Sequence, residues 1–157
     1  MASTAAAKYK AAQEAVAKAR KEAKATAKEA LKEMAAEFFA ENPHVVSINW
    51  NQYTPYFNDG DPCNFSANTD YPKFTFHAVD GTELTYCAGA GSFVSEDGEY
   101  DYEGGAAYEK ETAKVEKAVV KFLKNFDEDD LEEMFGDGVE ITLDRKGKIK
   151  TADYEHD

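Results

Sequence analysis

PHVVSINWNQY, residues 43–53, is where the chain changes period. Before Pro43 the apolar residues recur every three or four positions. After it, Val46, Ile48 and Trp50 alternate with Ser47, Asn49 and Asn51, the two-residue period of a half-buried strand running to about Tyr53. Proline disfavours helical geometry in the residue before it, so it separates the two regimes. A long helix followed by strands of alternating polarity points to a helix-on-sheet architecture.

Upstream, residues 1–41 hold no glycine or proline and are dominated by Ala, Lys and Glu, which predicts one long helix. Tyr9, Ala12, Val16, Ala19 and Ala23 follow a three-four spacing, and Ala27, Leu31, Met34 and Phe38 continue it after a one-residue slip. Only the turns from Leu31 to Phe39 have the bulk to pack on a core. The earlier turns carry an alanine seam too thin for a strong coiled coil, and two expectations stand for residues 1–41: a helical arm that pairs protomers into a homo-oligomer or grips a partner, or a solvated, partly frayed helix.

Downstream, Phe74, Phe76 and Ala78 alternate with Thr75 and His77, and Asp80-Gly81 supplies a type I′ hairpin dipeptide before Leu84 and Tyr86. Residues 63–67 suggest a further short strand, and residues 88–107, rich in glycine and acids, read as a long loop. Tyr108, Thr112, Val115, Val119, Phe122 and Phe126 mark the apolar face of a second helix. Asp127 is placed to cap a short third helix with Glu128, Asp129 and Asp130 in its first turn, Leu131, Met134 and Phe135 facing inward and Gly136 ending it. Val139, Ile141 and Leu143 form another strand, turned by residues 144–147 toward Ile149, with YEHD left as a polar tail. The expected fold class is α+β: an antiparallel sheet packed by helices, with residues 42–157 a single domain behind the arm.

Charge narrows the function. The chain of 157 residues carries a net −13. Residues 1–41 hold eight basic and six acidic side chains, so residues 42–157 account for −15. That field disfavours direct binding to nucleic acid or an anionic membrane and favours basic protein partners. The N-terminal stretch lacks the apolar core of a secretory signal and no run is long enough to span a membrane, so the expected compartment is the cytosol. There Cys63 and Cys87 would be reduced thiols.

Catalytic and cofactor signatures are weak. A lone Gly-Ala-Gly at residues 89–91 lacks the Gly-Lys-Ser/Thr ending of a phosphate loop, and no cofactor is implied. His44, Cys63, His77 and Cys87 are too scattered in sequence to announce a zinc site. Asp59 and Asp61 would be the carboxylates of a small hydrolase only because they share a loop. A non-enzyme is the expectation.

The binding surface most visible in the sequence is QYTPYFNDGDPC, residues 52–63. Asn58-Asp59-Gly60-Asp61 is turn chemistry stiffened by Pro55 and Pro62. Around it lie large rings beside amide and carboxylate acceptors, which suit stacking a planar ligand and reading its polar edge. Trp50, Tyr53, Tyr56, Phe57, Asn58 and Asp59 are the candidate ligand-binding residues. A turn whose aromatics only pin the loop is the competing expectation.

The run from Trp50 through Gln52-Tyr53-Thr54-Pro55-Tyr56-Phe57-Asn58-Asp59-Gly60-Asp61-Pro62-Cys63 to Phe65 resembles a motif in a group of small, largely uncharacterised bacteriophage proteins. The likeness covers about sixteen residues, with a fainter echo at Phe135-Gly136-Asp137-Gly138. It implies a phage accessory protein acting in the bacterial host cytoplasm, binding a host or defence protein or sequestering a small nucleotide-like ligand; it transfers no catalytic residues. An alternative is that the acidic body, with Glu96, Asp97, Glu99, Asp101 and Glu103 clustered, mimics nucleic acid and blocks a basic groove.

Overall fold

The computed structural model describes residues 4–55, 60, 62–95, 97–101 and 106–155. It is an α+β fold. The long helix α1 (Thr4–Glu41) leads into β1 (Val45–Tyr53), β2 (Ser66–Ala67), β3 (Lys73–His77), β4 (Glu83–Cys87), β5 (Ser92–Val94) and β6 (Tyr100–Asp101). Two helices, α2 (Glu109–Leu123) and α3 (Glu128–Phe135), then precede β7 (Val139–Asp144) and β8 (Ile149–Asp153). Among the described residues the strands form one antiparallel sheet, ordered β6-β5-β4-β3-β1-β7-β8, with β2 also paired to β1.

Pairing and burial together assign the two faces. Ile48, Trp50, Phe74, Phe76, Ile141 and Leu143 are buried beneath the helices, joined to Leu31 and Phe38 of α1, Val115, Val119 and Leu123 of α2, and Leu131 and Met134 of α3. Phe38 stacks on Phe122 with ring centroids 4.9 Å apart, fixing α1 to α2. The opposite face carries a polar ladder. Asn49 Nδ2 donates to Glu140 Oε1 at 2.7 Å and Thr142 Oγ1 at 2.9 Å, and the hydroxyls of Thr75 and Thr85 lie 2.8 Å apart. No helix is long and apolar enough to cross a membrane among the described residues.

The arm divides where its residues gain bulk. Residues 4–26 are exposed throughout, whereas Leu31, Ala35, Phe38 and Phe39 are buried. At the junction with β1, Arg145 from the β7–β8 turn donates to the carbonyls of Phe39 at 3.1 Å, Val45 at 3.1 Å and Pro43. Backbone acceptors at the end of α1 are thereby satisfied by a cation, the favourable sign for a helix C-terminus.

Several local expectations need correction. The sheet register shifts between Val45 and Ser47, a bulge that buries Val45 and leaves Val46 only half-buried. The β3–β4 turn holds three residues rather than two: Ala78 N donates to Thr82 O and Gly81 N to Ala78 O, both at 2.8 Å, with Gly81 at φ 88°. Residues 88–107 are not simply a loop, because they contain β5 and β6, joined by a Ser95–Glu99 turn of the same design with Gly98 at φ 87°. Asp127 has the extended backbone of an N-cap but makes no side-chain capping bond. Tyr154 is half-buried rather than part of a free polar tail, and its backbone N–H donates to Gly138 O at 2.8 Å.

Candidate functional site

β1 leads into residues 54–65, and the described residues on either side of that segment are held against α3. Even-numbered residues of the strand's second half face the helices, so Trp50 and Gln52 both point toward α3. Trp50 is only 2% exposed and lies edge-on to Phe135 with centroids 6.2 Å apart. Its indole N–H donates to Gln52 Oε1 at 3.1 Å. Gln52, fully buried, donates from Nε2 to the carbonyls of Leu131 at 2.9 Å and Gly136 at 2.8 Å. A buried amide with both ends engaged is stabilising where an unsatisfied one would be costly.

Two residues further on, half-buried Thr54 meets Asp137, the second residue past the end of α3. Its backbone N–H donates to Asp137 Oδ1 at 2.8 Å and its hydroxyl to Asp137 Oδ2 at 2.6 Å. At the loop's return, the Ser66 hydroxyl and the Ala67 N–H both donate to Glu128 Oε1 at 3.2 Å. Gln52 pairs with Ala67 and Tyr53 with Ser66 across β1 and β2, and Asn68 N donates to Asn51 O at 2.9 Å. Loop 54–65 is therefore closed at its base and tied to both ends of α3. The opening of the motif, Trp50 to Thr54, and Phe135-Gly136-Asp137-Gly138 are two sides of one anchor.

On the other face, Tyr53 is half-buried and packs against Tyr154 with centroids 5.4 Å apart at 34°. Burial, then the nearby Tyr53 and Glu140, push the Tyr154 phenol above its ordinary value. It therefore stays neutral at physiological pH, a ring with a hydrogen-bonding tip at the base of the loop. The Asn51 and Asn68 amides bond to one another beside it. Tyr71, 65% exposed, lies just before β3.

Of the candidate binding residues, Trp50 belongs to the core with its polar atom engaged, and Tyr53 lies at the base of the loop. Tyr56, Phe57, Asn58 and Asp59 lie outside the described residues, as do Asp61 of the hydrolase alternative and Glu96 and Glu103 of the acidic cluster. Asp97 Oδ1 is turned back on the Ser95 hydroxyl and on Glu99 N–H, at 3.4 Å for the latter, and the Ser95 bond followed by that to Glu99 lowers its pKa. His77 Nε2 lies 3.2 Å from Glu83 Oε2. Among the described residues no group of three or more His, Cys, Asp or Glu could hold a metal ion.

Four residues that organise this region had no place in the sequence reading of the site: Gln52 as a buried bracket, Glu128 and Asp137 as clamps, and Tyr154 as an aromatic neighbour. The likeness of Phe135-Gly136-Asp137-Gly138 to Phe57-Asn58-Asp59-Gly60 was the available signal for Asp137. Compared with known proteins, the chain matches no family model, no curated protein and no solved structure.

Proposed function

We propose that the chain is a non-enzymatic binding protein that captures its partner through loop 54–65 and the Tyr53–Tyr154 surface at its base, in the manner of a phage accessory protein acting on a host or defence component. The observation carrying this reading is the double clamp of Asp137 and Glu128 on the two ends of the loop. A mere connection between strands gains little from such anchoring. A recognition loop gains affinity from fixed ends, because the residues at its base do not have to be ordered on binding. The proposed contact set is Tyr53, Tyr56, Phe57, Asn58, Asp59 and Tyr154, with Trp50 supporting it from beneath. A planar nucleotide-like ligand or an aromatic-accepting protein surface suits these groups.

The test is the double replacement Tyr56→Ala and Phe57→Ala beside Asp137→Ala. The partner is first recovered by native mass spectrometry of protein taken from bacterial extract. The double variant should bind that partner at least about tenfold more weakly with an unchanged melting temperature. Asp137→Ala should weaken binding while costing about 1 kcal/mol of stability, since its bonds are exposed. Undiminished binding in both variants would remove the loop from the site. Recovery of a chemically converted ligand would replace capture with catalysis by Asp59 or Asp61.

The exposed alanine seam of residues 4–26 supports a second element, self-association through the arm. Deleting residues 1–26 should lower the mass found by light scattering and leave the circular dichroism of the remaining fold intact, because those described residues contribute no buried side chain. An unchanged mass would leave the arm without an assembly role.

A further inference from the structure

β8 is the terminal strand of the sheet, and its outer edge is unpaired among the described residues. Asp144 N donates to Lys148 O at 3.1 Å and Tyr154 N to Gly138 O at 2.8 Å, which sets the alternation along the strand. Lys148, Lys150 and Ala152 are then turned toward β7, while the N–H and C=O groups of Ile149, Thr151 and Asp153 point outward. Beside this edge, between α1 and the end of α3, runs a cleft of about 470 Å³ lined by Lys28, Lys32, Phe135 and residues 147–151.

The electrostatics of this strip oppose those of the molecule. In a chain of net −13, the cleft lining includes four lysines and no acidic residue. None of the four has an ion-pair partner among the described residues; Lys28 Nζ instead lies 5.6 Å from the centroid of the Phe135 ring. Lys28 and Lys32 come from the helix-covered side. Lys148 and Lys150 occupy the register positions of the open face, since Lys150 pairs with Thr142 and Thr142 with Asn49. The lysines therefore bracket the free edge from both sides of the sheet.

We propose that the β8 edge is a docking site for an extended acidic peptide, which adds to the sheet as a further strand. Such a segment hydrogen-bonds to the outward groups of Ile149 and Thr151, while its alternating side chains reach Lys28 and Lys32 on one face and Lys148 and Lys150 on the other. The length of the edge favours a strand over a single small anion: residues 147–151 span about 13 Å, several times a phosphate's reach. Like charge excludes a second β8 edge as the occupant, since pairing would bring lysine against lysine. No residue lining this surface belongs to the contact set proposed above, so its test does not depend on the loop's role.

The probe is a fluorescein-labelled nine-residue peptide with five glutamates interspersed among valine and threonine. It should bind the full chain saturably, with affinity falling as salt rises. Its analogue, N-methylated at alternate backbone nitrogens, keeps the charge and should fail to bind. Thr151→Pro removes an outward N–H without touching the β7 ladder and should weaken binding about tenfold, as should Lys28→Glu with Lys32→Glu. Circular dichroism confirms that each variant is folded, and the two act on different parts of the site. Absence of saturable binding would overturn the proposal. So would equal binding of the N-methylated peptide with full competition by tripolyphosphate, which would identify a small-anion cleft instead.

Discussion

Trp50→Ala should lower the melting temperature by about 10 °C, a loss of about 3–5 kcal/mol. The indole is 2% exposed, at the centre of the face shared by β1, β7 and α3, so truncation leaves a cavity that surrounding strands cannot close. The same change removes the donor that holds Gln52 Oε1 and thus loosens the bracket on Leu131 and Gly136. Trp50 is the only tryptophan in the chain, which supplies a second readout. Its fluorescence should be blue-shifted and poorly quenched by iodide in the wild-type protein. Efficient quenching with a small stability loss would return Trp50 to an open ligand pocket and contradict its place in the core.

The parts of the fold that could be read from sequence are those whose signal is local. The helix α1, the alternation of β1, the β3–β4 hairpin and the apolar face of α2 each repeat a period within a few residues. Thr112, Val115, Val119 and Phe122, expected on one helical face, are all buried. The β5–β6 hairpin escaped because its strands are only three and two residues long and sit among glycines and acids. Yet Asp97-Gly98 repeats the Asp80-Gly81 signal, and both turns close with the same pair of backbone bonds. The bulge at Val45–Ser47 has no counterpart in the hydropathy pattern, where adjacent valines make either register plausible.

The candidate site divides in the same way. Turn residues and rings around Gly60 announce themselves within twelve positions of sequence, but the anchoring of that loop is non-local. Thr54 and Asp137 are 83 positions apart, and Ser66 and Glu128 are 62. Asp137 and Glu128 look like ordinary solvated acids until the sheet brings β1 and α3 together. Gln52 misleads in the opposite direction. A polar residue at the end of an apolar alternation suggests that the strand has reached solvent, whereas its amide is fully buried between a tryptophan and the carbonyls of Leu131 and Gly136.

Gln52→Glu tests that bracket through its charge with little change in shape. The neutral amide donates to two carbonyls and accepts from one indole; an ionised carboxylate accepts only, so Leu131 O and Gly136 O would face a buried negative charge. The expected cost at pH 7 is about 4 kcal/mol, or about 10 °C in melting temperature. Burial and the two carbonyls raise the glutamate's folded-state pKa above its unfolded value of about 4.3, and the single indole donor offsets only part of that rise. The penalty is therefore greatest above the folded pKa and shrinks as pH falls toward the unfolded one, where the protonated acid can donate to one carbonyl. The gap in melting temperature between wild type and Gln52→Glu should narrow between pH 7 and pH 5. A gap of constant size across that range would mean that the side chain at position 52 reaches water, and with it the anchor beneath the loop would be lost.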